Sequence, residues 1–410
     1  MSCTERLPET FSANLFIKKI NIMQTRRDFL KLSALFTATA AMPLLQACQQ
    51  RAAAQANAPL TIGYLPILDA APLLVAHGKG LFQKNNIETV KPILFRSWAS
   101  LVEAFLSGQV NVIHVLSPMS VWMRYGSRAP VRALMWNHTC GSALTVRPDI
   151  NQITDLQGQT IAIPFWYSIH NVVVQQLLRQ AGLQIVEKNP QLGQVRLTVM
   201  PPSDMVAALA AKQIAGFIVA EPFNALAEAK GVGKILRFSG DIWREHACCL
   251  TMMHDHDINT RPDWVQGVID ALVQAAAFAK HHRVETAELL AKQGINKYTP
   301  HDVAVLRNVL QPEPVQWAKY ERNGAIRHAD WQQKRIDFQP FPFQSYSELL
   351  IKLLKETHLA GVNTFLQDVQ PEIASKELFD TRFVEKSLQQ HDLMKQFGLS
   401  SLQRVEQFKI

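Results

Sequence analysis

The chain has 410 residues, of which 48% are hydrophobic, and a formal net charge of +8. That composition fills one large core or two smaller ones and excludes a chain too polar to fold. Residues 1–47 hold six Lys/Arg against three Asp/Glu, which leaves +5 on the remainder. Those basic residues are scattered without a run, which excludes the clustered charge of a nucleic-acid-binding surface.

The amino-terminal segment reads as a targeting signal. Thr25-Arg26-Arg27-Asp28-Phe29-Leu30-Lys31 has the form of a twin-arginine export signal. The apolar run Leu32 to Leu45 behind it is too short and too rich in Ala and Thr for a membrane span. It ends in Leu45-Gln46-Ala47-Cys48, the form of a lipoprotein cleavage box. The expectation is removal of residues 1–47, acylation of Cys48 and retention in the periplasm or cell envelope on a lipid anchor. Residues 1–22, upstream of Met23, read as an extension of the true start. From Gln49 to Pro59 the chain is mostly Gln, Ala and Asn, a tether in the 48–59 segment.

Leu60–Leu65 reads as a first strand, Pro72–Gly80 as a helix, Thr89–Phe95 as a strand, Leu101–Leu106 as a helix and Val110–Leu116 as a strand. The same order recurs in strand Gln159–Pro164, helix Asn171–Gln180, strand Val195–Met200, helix Met205–Ala211 and strand Ala215–Ala220. Alternating strands and helices imply mostly parallel sheets with helices on their faces. The segments Ser100–Pro118 and Asp204–Pro222 also align without a gap at an interval of 104 residues. Two similar lobes are therefore expected, with a ligand cleft between them at the carboxyl ends of the strands. The predicted fold class is α/β, two-lobed, with a helical carboxyl-terminal extension. Residues 60–145 begin lobe one, 146–246 form lobe two, and 247–410 return to lobe one and extend it. Asp263–His281 and Ser347–Leu354 read as amphipathic helices, the latter with the stripe Leu349, Leu350, Leu353 and Leu354. The Pro-, Trp- and Phe-rich stretch Gln311–Gln344 is expected to pack on lobe one and the hinge.

An ordered series of short motifs adds a family. It comprises Gly63-Tyr64-Leu65-Pro66, Ala76-His77-Gly78-Lys79-Gly80-Leu81-Phe82, Pro201-Pro202-Ser203-Asp204-Met205-Val206-Ala207 and Ala220-Glu221-Pro222-Phe223-Asn224. Gly240-Asp241-Ile242-Trp243-Arg244-Glu245-His246 and Pro262-Asp263-Trp264-Val265 complete it. Together they resemble the solute-binding proteins of nitrate, bicarbonate, sulfonate and taurine importers, with the nitrate/bicarbonate branch closest. The resemblance runs from Leu60 to about Lys280 and returns at Phe379-Asp380 and Val384-Glu385-Lys386-Ser387-Leu388. It implies a type II periplasmic-binding-protein fold that closes on its ligand. It also implies a monomer that hands a small molecule to an ABC permease and ATPase, with no nucleic-acid partner. The family's pocket aromatic corresponds to Trp98, its pocket histidine to His170, and the loop before its Glu-Pro pair to Ala220 and Glu221. Two positions depart from the nitrate binders. Ser142 stands in place of a glutamine amide, and Cys249 in place of a lysine, so the ligand is expected not to be nitrate.

The same residues have readings of their own. Ser168 to Asn171 opens a helix, whose unpaired N–H groups favour electron-rich ligand atoms. Ser168 reads equally as its N-cap. The helix dipole disfavours a protonated His170, leaving a neutral donor or acceptor. Trp98, Trp166 and Tyr167 have the shape to stack on a planar solute. Glu221, a lone carboxylate before Pro222, either orients a loop or meets the ligand. Cys140, Cys248 and Cys249 are an odd set for an oxidising compartment. They leave open a disulfide from Cys140 to either neighbour of the pair, or a metal site drawing on Cys140, His246, Cys248 and Cys249 with His138 nearby. The spacing is not that of a zinc finger. No Gly-x-Ser-x-Gly, His-Glu-x-x-His or phosphate loop is present, so no catalysis and no resident cofactor are expected. The alternatives are an exported metal-dependent protein, a ligand sensor, or a relative of the thiamine-pyrimidine synthases of the wider superfamily, which carry a cysteine run at a similar place.

Overall fold

The computed structural model describes residues 58–331, 334–361 and 363–410. The export signal, Cys48 and nearly all of the tether lie outside the described residues. Among the described residues no helix is long and apolar enough to cross a membrane.

Two sheets carry the architecture. The first contains β1 (Ile62–Tyr64), β2 (Ile93–Leu94), β3 (Val112–Leu116), β4 (Val131–Trp136) and, from far along the chain, β12 (Cys249–His254). Its order is β2-β1-β3-β12-β4, with β1 parallel to β2 and β3 and β12 antiparallel to both neighbours. The second contains β6 (Ser142–Val146), β7 (Thr160–Ile163), β8 (Gln184–Val186), β9 (Gln194–Val199), β10 (Gly216–Ala220) and β11 (Lys234–Phe238). Its order is β11-β6-β10-β7-β9-β8, with β10, β7, β9 and β8 mutually parallel and β6 antiparallel to β10. The inner strands β1, β3, β12, β6 and β10 are buried and nearly continuously apolar, as strands covered on both faces must be, whereas β2, β8 and β9 are partly exposed.

The internal repeat is visible in the fold. Helix α1 (Ala71–Gly78) follows β1, and α2 (Trp98–Leu106) precedes β3. In the second lobe α3 (Ile169–Gln180) follows β7, and α4 (Pro202–Ala210) precedes β10. Helix α4 and strand β10 begin and end 104 residues after α2 and β3. Each lobe then receives one antiparallel strand beside that pair, β12 against β3 and β6 against β10. The second sheet thus begins at Ser142, ahead of the expected boundary at 146.

Two segments cross between the sheets, one from β4 to β6 and the other from β11 to β12. The first carries β5 (Thr139–Cys140), which pairs with β13 (Ile336–Asp337). Helix α5 (Phe223–Ala229) follows β10. The backbone N–H of Leu68 in lobe one donates to the carbonyl of Glu221 in lobe two at 3.0 Å, so the lobes meet at this point.

The remaining chain divides its packing. Helix α6 (Pro262–His281) buries Val265, Val268, Ile269, Leu272, Ala276 and Ala279, a helical stripe, against α1. Helix α7 (Pro314–Arg322) lies elsewhere. Tyr320 from it joins Ala325, Ile326 and Trp331 in a small apolar cluster with Ala143, Ile235 and Phe238. These last three belong to β6 and β11 of lobe two, so part of 311–344 covers lobe two rather than lobe one. The reason is the aromatic end of β11: Phe238 sits 4.8 Å from the Tyr320 ring and 5.3 Å from that of Trp331. Helix α8 (Gln344–Glu356) buries Tyr346, Leu350, Ile351 and Leu354. The Tyr346 hydroxyl reaches Ser117 Oγ at 2.8 Å and the Ala247 carbonyl at 2.5 Å.

Candidate functional site

Where the two crossings meet the lobe junction, buried polar side chains accumulate. Asp69 lies in the turn of 3-10 helix Leu68–Ala70 that leads into α1. His138 comes from the first crossing, and Cys248 and Cys249 end the second. All four are fully buried, and their ligand-type atoms lie within 4.8 Å of one another. Asp69 Oδ2 is 2.8 Å from His138 Nε2, yet neither Asp69 oxygen completes a well-aligned hydrogen bond. The Cys249 N–H points at the same imidazole nitrogen from 3.4 Å. The His138 ring is held by packing: Gly141, at φ +76, is so close that a Cβ there would sit 3.0 Å from His138 Nδ1.

The charges of this group are interdependent. Burial opposes the Asp69 carboxylate, but the neighbouring His138 outweighs it and holds the carboxyl below its ordinary value. Burial likewise opposes charge on His138, and Asp69 pushes the imidazolium up to about 10. Burial disfavours either thiolate. The hydrogen bond from Cys249 helps draw Cys248 down to about 5, while Cys249 is raised. The two thiols titrate as a pair, with the negative charge favoured on Cys248.

His114 and Trp98 extend the site into lobe one. The Leu65 N–H donates to His114 Nε2 at 2.8 Å, so a neutral His114 carries its proton on Nδ1. That Nδ1 has no partner, and burial brings the pKa down to about 4. Trp98, the first residue of α2, has its ring 5.3 Å from that of His114, and its buried Nε1 is also unpaired. Lobe two contributes His170, in the first turn of α3. Ser168 caps this helix, accepting from the Asn171 N–H at 3.1 Å and donating to the Phe165 carbonyl at 2.7 Å. His170 Nε2 is 2.9 Å from Ser142 Oγ and 3.8 Å from Cys248 Sγ, which joins lobe two to the second crossing.

The residues expected from sequence divide accordingly. Trp98, Ser142, His170 and Cys249 belong to this buried group, with Ser168 fixing the helix that carries His170. Trp166 is only partly buried, and its ring faces His358 at 5.6 Å. Glu221 is fully buried, but its Oε1 accepts from Arg335 Nε at 2.6 Å and its Oε2 from the Ala225 N–H at 3.2 Å. That is a structural pairing. His246 stands one layer back: its Nε2 is 2.8 Å from Ser239 Oγ, which itself donates to the Ser142 carbonyl at 2.8 Å.

Cys140, Cys248 and Cys249 are all free, so the disulfide considered from sequence does not form. Cys140 adopts φ +59, and its sulfur lies against Gly240, where an added Cβ would meet it at 2.6 Å. The sulfurs of Cys248 and Cys249 are gathered with Asp69 and His138 instead. The metal candidates change in the same way: Cys140 and His246 drop out, and Asp69 enters. Nothing in the local sequence Ile67-Leu68-Asp69-Ala70 marks that carboxylate, whose partners are 69 or more positions away. His114, inside an apolar strand, is equally unmarked.

Comparison with known proteins places this geometry in a context. The chain is 27% identical over 248 residues to the nitrate import ATP-binding protein NrtC of Synechocystis, covering 57% of this chain and 37% of that one. It is 26% identical over 247 residues to the nitrate/nitrite binding protein NrtA of Nostoc, covering 54% and 55% respectively. The match therefore spans about a third to a half of those relatives' lengths. Among solved structures, the periplasmic nitrate-binding protein NrtA from Synechocystis superposes with a TM-score of 0.69 at 17% identity, covering 85% of this chain and 93% of that one. At that identity the likeness is one of fold, the two-lobed α/β architecture of periplasmic binding proteins. With a family model matching residues 53–295, the chain belongs to the NMT1-like family.

Proposed function

We propose that this protein captures a small solute outside the cytoplasm and delivers it to an ABC importer. The observation that carries this reading is the set of buried, unpaired polar groups at the lobe junction. Trp98 Nε1, His114 Nδ1 and His170 Nδ1 lack partners, and buried polar groups are rarely left so unless something else meets them. The relatives named for nitrate binding and nitrate import support the transport class.

The solute is not a small monoanion of the nitrate type. Cys249 stands where the resembling nitrate binders place a lysine, and Asp69 lies beside it. A buried carboxylate next to a thiol pair that favours one thiolate repels an anion, and His138 is already engaged with Asp69. A neutral or zwitterionic solute fits, with Trp98 and His114 donating to its electron-rich atoms and His170 closing from lobe two. The solute that co-purifies is to be identified by mass spectrometry, and calorimetry run on nitrate, bicarbonate, taurine, short alkanesulfonates and a pyrimidine precursor. Nitrate should give no saturable heat. Loss of one buried hydrogen bond to the true solute costs roughly 1–3 kcal/mol, about five- to a hundred-fold in affinity, in His170→Ala. Micromolar nitrate binding by the unmodified chain overturns the selectivity. Unchanged affinity in both His170→Ala and Trp98→Ala overturns the location.

Delivery requires export, and the reading includes a mature chain that begins at acylated Cys48 after twin-arginine export. Replacing Arg26 and Arg27 by Lys should hold the protein in the cytoplasm, and Cys48→Ala should release it from the membrane fraction. A Cys48→Ala protein that still sediments with membranes rules out the lipid anchor.

A further inference from the structure

We infer that Asp69, His138, Cys248 and Cys249 form a binding site for one thiophilic divalent cation of the zinc type. Two cysteine sulfurs, one imidazole nitrogen and one carboxylate oxygen are a complete four-ligand set for tetrahedral Zn²⁺. Their ligand atoms already lie within 4.8 Å of one another, all of them buried. With metal–ligand bonds of roughly 2.0–2.3 Å, the edges of such a tetrahedron are about 3–4 Å. The cluster therefore needs to contract by no more than about an ångström or two along its longest edge. The set mixes soft sulfur with a hard carboxylate, which favours Zn²⁺ over a purely thiophilic monovalent ion and over an oxygen-seeking Mg²⁺ or Ca²⁺.

A second observation is independent of the grouping. Both oxygens of Asp69 are fully buried and complete no well-aligned hydrogen bond. The close neighbours of that carboxylate, His138 Nε2 at 2.8 Å and the Cys249 thiol, are themselves candidate ligands, so one cation would satisfy all three at once. His138 presents Nε2, and not Nδ1, to Asp69, and Gly141 fixes that ring by contact. The ligands are supplied by the turn before α1 and by both crossings, and Cys248 Sγ also touches His170 of lobe two. A cation held here would brace the two crossings against lobe one at the point where lobe two closes.

The test uses the full chain, stripped of metal with a chelator under reducing conditions and titrated with Co²⁺. One equivalent should bind, with a thiolate-to-cobalt charge-transfer band and the strong visible absorption of tetrahedral Co²⁺, both abolished by one equivalent of Zn²⁺. Cys248→Ser, Cys249→Ser and His138→Ala should each weaken Co²⁺ binding at least about ten-fold and change the spectrum, whereas Cys140→Ser should leave it unchanged. X-ray absorption of the Zn²⁺-loaded unmodified chain should show two sulfur ligands and needs no variant to fold. A folded chain that takes up no Co²⁺, a zinc edge without sulfur, or an unaltered spectrum in a folded double variant Cys248→Ser/Cys249→Ser overturns the site. Solute binding is read separately by calorimetry, so its failure and the failure of the metal site are distinguishable.

Discussion

Arg335 joins the carboxyl-terminal region to lobe two through a buried ion pair with Glu221 and a longer one, at 3.6 Å, with Glu228. Arg335 Nε donates to Glu221 Oε1 at 2.6 Å, and Arg335 Nη1 donates to the Tyr320 hydroxyl at 3.0 Å. Burial pushes the Glu221 carboxyl up against the pull of Arg335, while the surrounding acids hold Arg335 firmly charged. Removing one member strands the other in the interior, which costs about 3–5 kcal/mol, whereas an apolar replacement of both is far milder. Arg335→Met should therefore lose about that much stability in urea unfolding, and Arg335→Met/Glu221→Met should recover a good part of it. A single Arg335→Met change without measurable loss would falsify the ion pair as a structural tie. The sequence showed Glu221 as a lone carboxylate before a proline. It could not show that its partner sits 114 positions later.

Helix α3 presents His170, and its amino terminus decides where that imidazole stands. Ser168 is in extended conformation, at φ −132 and ψ 149, with its hydroxyl capping the Asn171 N–H. Such caps contribute roughly 1 kcal/mol when compared with alanine, and glycine loses only a few tenths. Ser168→Ala should lower stability by about 1 kcal/mol in chemical denaturation, with Ser168→Gly nearer the parent. Equal losses in the two variants would mean that the hydroxyl acts through something other than the cap. This part of the site was legible, because a capping serine followed by an apolar periodic run is a local signal. The pairing of α2–β3 with α4–β10 at one interval was legible for the same reason: each unit's pattern is complete within about twenty residues.

His301 lies between the lobes. Its Nε2 donates to the Pro66 carbonyl of lobe one at 3.1 Å, and its ring packs edge-on against Phe223 of α5 at 5.1 Å. Burial brings its pKa from 6.5 down to about 4, against the small upward pull of the Pro66 carbonyl. The unfolded chain thus binds a proton at a pH where the folded chain does not. Stability from this contact is complete above pH 6.5 and is lost as the pH falls towards about 4. The loss across that window is up to about 3 kcal/mol. His301→Gln, which keeps a donor for Pro66, should flatten the acid limb of stability against pH between those values, read by thermal unfolding. An unchanged limb would place the acid sensitivity with other buried histidines such as His114 and His246, both also depressed by burial.

Fold class, the repeated unit and the capped helix were written in local pattern, because hydrophobic period and caps depend on near neighbours. The lobe that residues 314–331 cover, the partner of Glu221, the absence of a disulfide at Cys140 and the gathering of Asp69 with His138, Cys248 and Cys249 were not. Each rests on contacts between residues tens to hundreds of positions apart. Which side chains meet at such distances is settled by sheet order and by the close approach of Gly141 and Gly240, and neither leaves a periodic trace in the chain.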